Sequence, residues 1–222
     1  ISIEDAIIDL LDNSIDGANK INPNDYTGLK INITLSDSEF IIEDNCGGFS
    51  LEVAQKYAFR FGRPDEAPKA HSTVGRFGIG MKRSLFKIGK EFVVESQSND
   101  DHFKVIVDVD EWSKKTKKVT ADDGNELEID DWNFNYQSID NKKLDTDGTI
   151  IKVSNLNHEV TDLFCDDTFL NELANDIQKL LNFSLLKGIQ ITLNGRILKG
   201  NRIDVLISES ALPYYANGKI ND

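Results

Sequence analysis

The order of elements predicts an α/β two-layer sandwich, with a mixed, mostly antiparallel sheet and helices on one face. Three observations carry this. Helical and strand periods alternate along the chain, and the strands come in adjacent pairs. Short polar links join the pairs, which makes hairpins and leaves no room for the crossovers of a doubly wound parallel sheet. The helical stretches each carry one apolar stripe, which must be buried on a single layer.

The first element is a helix. Ile3, Ile7, Leu10, Leu11, Ser14 and Ala18 return to one side at about 100° per residue, and Asp9, Asn13 and Asp16 share the opposite side. A loop follows in residues 19–28, rich in Asn, Pro and Gly. Strands are expected at 29–35 and 39–44, joined by "SDS" as a hairpin. "NCGGFS" turns into a short helical stretch, "LEVAQKYAF". Residues 60–80 form a Gly/Pro loop with Arg60, Arg63, Lys69, His71 and Arg76, and long loops of this kind inside a compact domain are usually functional. "MKRSLFKIG" reads as a helix stopped by Gly89. Residues 91–98 and 102–110 form a second hairpin, and 111–147 read as a polar surface insertion with some strand. A strand at 148–156, an amphipathic helix at 168–186 and a strand at 189–198 with a turn at Asn194-Gly195 complete the pattern. One domain is expected over 1–200, with its Gly-rich loop and mobile cover within 50–80, and 201–222 opening a following segment.

Composition narrows the function. The chain of 222 residues can bury a sizeable core. Its net charge of -13 repels a phosphate backbone, so direct nucleic-acid binding by this segment is not expected, and any bound polyphosphate needs a cation and locally clustered positive charge. No apolar run is long enough to span a membrane, and no charged-then-apolar leader is visible. The two cysteines make neither a disulfide framework nor a zinc site, which fits a cytoplasmic or other intracellular setting, the nucleus included. The chain starts at Ile1 and is read as a fragment.

Three motifs carry chemistry. "VGRFGIGMKRS" sets Gly75, Gly78 and Gly80 ahead of a helix, with Arg76, Lys82 and Arg83 close by. Glycines let backbone N–H groups approach a ligand, and a helix start favours an anion. No Gly-Lys-Ser/Thr follows, so this is not a P-loop. In "IIEDNCGGFS" a strand ends in Asp44, whose carboxylate can accept a hydrogen bond from an exocyclic amine, while Gly48 allows a flat base to lie close. In the opening helix, Asn13 can offer an oxygen to Mg²⁺, and Asp9, one turn earlier, can hold or deprotonate a water. Each motif alone has a plain alternative: a Gly-rich turn, a hairpin bend, a solvated helix face.

Their order adds what each lacks. "DLLDNSIDGA", "EDNCGG" and "GRFGIGMKRS", followed by "DGTIIKV", resemble the motifs of the GHKL ATPases, the superfamily of gyrase B, the Hsp-class chaperones, histidine kinases and MutL. The wording resembles most the chaperone, MutL and MORC-like branches. The resemblance implies a Bergerat-type ATP-binding fold, ATP and Mg²⁺ as cofactors, and slow hydrolysis coupled to lid closure and to homodimerisation of the full-length chain or movement of an adjacent domain. It assigns Mg²⁺ to Asn13, the adenine amine to Asp44 with Gly48 and Thr149 in support, and the phosphates to the run Gly75, Arg76, Phe77, Gly78, Ile79, Gly80 and Met81. Residues 60–74 would be the ATP lid. Apart from the resemblance, the position of Lys82 at the helix start reads as an additional phosphate contact. Asp9 stands where the family has a catalytic Glu, one methylene shorter, and Cys46 stands at the first Gly of the family's Asp-x-Gly-x-Gly. Asp9 therefore leaves two readings open, an ATPase and an ATP-binding switch without hydrolysis. A protein kinase on the same fold is a third.

Overall fold

The computed structural model describes residues 1–59, 77–99, 101–121, 125–139 and 144–201, with the backbone alone for 77–79. Helix α1 (Ile3–Ile21) starts at Ser2, whose hydroxyl accepts from the Asp5 N–H while the Asp5 carboxylate accepts from the Ser2 N–H, a reciprocal cap. Its apolar stripe is buried as expected, and Ala6 joins it. The polar stripe differs from expectation. Asp9, Asn13 and Asp16 are half-buried and only Asp12 is exposed, because a second helix packs across that side.

That helix is α3 (Phe77–Ile88), preceded by the short α2 (Leu51–Val53) and a π turn, Ala54–Ala58. Gly78 and Gly80 lie inside the first turn of α3 rather than in a loop ahead of it, and Lys82 falls in the second turn. Burial of Met81, Leu85 and Ile88 outweighs the cost of about 1 kcal/mol for each helical glycine. Gly89 does not cap the helix but begins the next strand directly, where a Cβ would sit 2.8 Å from the Ser154 carbonyl oxygen.

The described strands are β1 (Lys30–Leu35), β2 (Glu39–Asp44), β3 (Gly89–Ser98), β4 (Asp101–Asp108), β5 (Thr116–Thr120), β6 (Glu126–Asp130), β7 (Tyr136–Ser138), β8 (Gly148–Leu156), β9 (Gln190–Leu193) and β10 (Arg196–Leu198). Eight of them form one sheet in the order β10-β9-β1-β2-β8-β3-β4-β7. Only the β1–β9 pairing is parallel, so the sheet is mixed and mostly antiparallel. Alternation sets its faces. Ile31, Ile33, Phe40, Ile42, Phe92, Val94, Ile151 and Val153 are buried towards the helices, while Asn32, Glu43, Glu91 and Lys152 are exposed.

The stretch from 111 to 147 holds more structure than its polarity suggests. Helix α4 (Val109–Trp112) precedes the separate β5–β6 hairpin, and β7 extends the main sheet. Trp112 stacks on Phe134 and Phe86, which ties this region to α3. Beyond β8 lies α5 (His158–Phe164), which the sequence pattern does not reveal, and the helix expected over 168–186 is two, α6 (Asp167–Leu180) and α7 (Asn182–Leu186), broken at Leu181. The β9–β10 turn is as expected, with φ of +47° at Asn194 and +78° at Gly195. Residues 202–222, and with them the expected following segment, lie outside the described residues.

Candidate functional site

Four pieces of chain converge at the end of β2. The register pairs Asp44 with Thr149 on β8 and with Ile31 on β1, so the carboxylate stands at the strand end against two neighbours. Beyond it the chain turns through Gly47 and Gly48, with φ of +89° and +57°. Glycine at 48 is required twice over. Besides its positive φ, a Cβ there would lie 2.2 Å from the Gln97 carbonyl oxygen and 2.8 Å from that of Gly148. The family's first glycine position, Cys46, needs no positive φ, which explains how a side chain fits there.

The Cys46 side chain has a counterpart on α1. A Cβ at Gly17 would sit 2.4 Å from the Cys46 carbonyl oxygen and 3.3 Å from its Cβ. Where the resembling motifs have Ala on the helix and Gly in the turn, this chain has Gly17 and Cys46. The helix thus rests on the turn at backbone distance. Cys46 is buried, and desolvation, then the nearby Asp44 carboxylate, push its thiol well above the usual range, so it packs and does not act as a nucleophile.

Asp44 is held by three donors. Ser14 Oγ donates to Oδ2 at 2.7 Å, and the N–H groups of Cys46 and Thr149 donate to Oδ1 at 2.8 and 3.3 Å. Burial raises its pKa, and these hydrogen bonds oppose the rise. A carboxylate has about four acceptor sites, so a lone pair on Oδ2 remains for a donor in the cleft. The cleft itself is a largely apolar cavity of about 150 Å³, lined among others by Leu10, Asn13, Asp44, Gly48, Met81 and Thr149. A flat apolar group with one amine edge fits this combination of walls and acceptor.

Asn13 is the next group along α1. Its Nδ2 is buried and has no hydrogen-bond partner, which is costly unless something arrives to meet the amide. Rotation of the amide would present its oxygen instead. Among the described residues no group of three or more His, Cys, Asp or Glu could hold a metal by itself. A Mg²⁺ here would have one amide oxygen from the protein and complete its shell with phosphate and water, which suits that ion.

At the far end, Asp9 Oδ2 lies 3.2 Å from Arg83 Nη2 on α3 and 3.7 Å from where a Cβ on Gly80 would be. Lys82 is buried, and desolvation pushes its pKa down to about 8. Asp12 is shifted upwards, by desolvation first and then by repulsion from Asp16 and Asp9. Thus Asn13, Asp44, Gly48, Met81 and Thr149 come together around one cleft, while Asp9, one helical turn from Asn13, and Gly80, next to Met81, face each other beyond it. Phe77, Gly78 and Ile79 open α3, without described side chains, and Gly75, Arg76 and the expected lid at 60–74 lie outside the described residues. Sequence reasoning missed Ser14 and the pairing of Arg83 with Asp9. Ser14 had left a signal, since a hydroxyl on an otherwise apolar buried face must find a partner.

Residues 1–146 match the family described as histidine kinase-, DNA gyrase B-, and HSP90-like ATPase. No curated protein was found to match the chain.

Proposed function

Because this chain belongs to the histidine kinase-, DNA gyrase B- and HSP90-like ATPases, the GHKL superfamily, we propose that its cleft binds Mg²⁺-ATP with the adenine against Asp44. The observation that carries this is the half-buried Asp44 carboxylate, fixed by Ser14, Cys46 and Thr149 and left with one acceptor site in an apolar cavity lined by Gly48. Asn13 would supply the protein's oxygen to the magnesium ion, whose chemistry here is to neutralise and orient the phosphates. The start of α3 and Lys82 would face those phosphates, and an anion beside Lys82 would raise its lowered pKa again. Asp9 would hold the attacking water, with slow hydrolysis as the outcome. The domain would span 1–200, and in a longer chain ATP would order the lid at 60–74 and promote homodimerisation, as in the chaperone, MutL and MORC-like branches. Two free cysteines favour a reducing, intracellular compartment. No helix among the described residues is long and apolar enough to cross a membrane.

Calorimetry with ADP and Mg²⁺ tests the pocket. Asp44→Asn keeps the internal bonds, since its oxygen accepts from the two N–H groups and its nitrogen donates to Ser14. It turns the acceptor facing the base into a donor, so ADP affinity falls at least about tenfold. Unchanged affinity would remove Asp44 from the site. The pH dependence has a fixed sign. A raised aspartate pKa favours the fold below the ordinary value of 3.8, and that advantage is lost as pH rises through the folded-state pKa. The melting temperature of Asp44→Asn therefore gains on wild type across that window.

The switch reading, ATP binding without turnover, draws support from the short arm of Asp9 and its pairing with Arg83. Phosphate release by wild type and Asp9→Glu separates the two. Turnover that appears only in Asp9→Glu supports the switch. Turnover in wild type that Asp9→Asn removes supports the ATPase.

A further inference from the structure

Helix α1 works as a ruler along the cleft. Gly17 rests on the Cys46 turn, Ser14 bonds Asp44 and Asn13 lines the cavity. Asp9 lies five residues N-terminal to Ser14, about 7.5 Å further along the axis at 1.5 Å per residue. On α3, Gly80 and Arg83 are three residues apart and so share a side, and both meet α1 at Asp9. With the base at Asp44, this point along α1, past the cavity, is where the last phosphate of a nucleotide would come.

The Arg83–Asp9 pair has the character of a contact made to be exchanged. It is a single 3.2 Å contact between side chains that are 58% and 35% exposed, so solvent screens it and it holds weakly. A guanidinium binds a phosphate dianion in a planar, two-pronged geometry that one carboxylate oxygen does not offer. We propose that Arg83 is the residue by which this site distinguishes a nucleoside triphosphate from a diphosphate. In the nucleotide-free protein it pairs with Asp9. With a triphosphate bound it moves to the terminal phosphate and leaves the Asp9 carboxylate free to hold water. A diphosphate does not reach it, so the pair stays closed and the carboxylate stays engaged. The proposal rests on the reading of the cleft as a nucleotide site. It gives that site a sensor that works whether or not hydrolysis follows.

The test measures affinities of the 222-residue chain for ADP and for the non-hydrolysable β,γ-imido analogue of ATP, both with Mg²⁺, by calorimetry. Arg83→Ala should weaken the analogue about tenfold, the usual effect of losing a charged hydrogen bond, while changing ADP less than about twofold. Arg83→Lys should recover part of the loss, since the charge remains and the fork does not. Asp9→Asn should tighten the analogue and leave ADP unchanged, because it releases the guanidinium. Equal losses for both nucleotides in Arg83→Ala, or an unchanged analogue affinity, would overturn the assignment and leave Arg83 as a surface partner of Asp9. Wild type that binds neither nucleotide would overturn the reading of the cleft itself, and the sensor with it.

Discussion

The two acidic residues at opposite ends of α1's contact with the site, Asp44 in the cleft and Asp9 past it, are held in opposite ways. Asp44 sits where β2 meets a glycine turn, held by one hydroxyl and two backbone N–H groups, with backbone oxygens packed so close that a Cβ at Gly48 or Gly17 would collide with them. Asp9 stands on a helix face, held by one exposed guanidinium, beside a glycine with room for a side chain. The first end is rigid because backbone enforces it. The second depends on side chains that can trade partners. A site that recognises an invariant base and responds to a variable phosphate needs this division of labour.

The largest effect should come from the rigid end. Gly48→Ala puts a Cβ 2.2 Å from the Gln97 carbonyl oxygen at a positive φ, and the expected loss is about 3 kcal/mol or more. Urea unfolding measures it, and a loss below about 1 kcal/mol would mean that the turn is softer than described. Gly17→Ala comes next, at about 2 kcal/mol, because α1 must lift from the Cys46 carbonyl. Adding Cys46→Gly should recover part of that loss, since it removes one of the two groups in contact. Strict additivity of the two changes would break the idea of a matched pair. Ser14→Ala removes a donor from a half-buried carboxylate, for about 1–2 kcal/mol, and should also weaken ADP binding as Asp44 loses its orientation. The smallest effect should have the opposite sign. Among the described residues a Cβ at Gly80 would meet only Asp9 Oδ2, at an ordinary 3.7 Å, so Gly80→Ala should stabilise the apo protein by about 0.5–1 kcal/mol through helix propensity. A clear destabilisation there would show that this end is as tightly built as the other.

The same division explains what could be read from the chain. The apolar stripe of α1, the β1–β2 hairpin, β8 and the Asn194-Gly195 turn follow from local periodicity and turn chemistry, and the structure has them within a residue or two. The three motifs that resemble the GHKL family do lie around one cleft, apart from the part of the glycine run outside the described residues. Where α3 begins was not legible. Glycines at 78 and 80 speak against a helix, and only the burial of Met81, Leu85 and Ile88 in three dimensions overrides them. Helix α5 is seven residues long, too short for its period to stand out. The break at Leu181 lies inside a run that stays apolar on one side, so periodicity passes straight through it. The Gly17–Cys46 match and the Arg83–Asp9 pair join positions far apart in the chain, and nothing local to either member announces the other.

The placement of β8 bears on how the chain assembles. This strand lies between β2 and β3 and pairs with both, yet it is made after β1 to β7. On a translating ribosome, β2 and β3 therefore wait as two open edges, with unpaired backbone offered to any neighbouring chain. The Thr149 N–H that completes the Asp44 site arrives 105 residues after its partner. Zipping the middle of a sheet after both its neighbours makes folding slow and non-local, and the nascent intermediate prone to aggregate. In this topology the strand that closes the binding cleft is also the one that ends the chain's most vulnerable period.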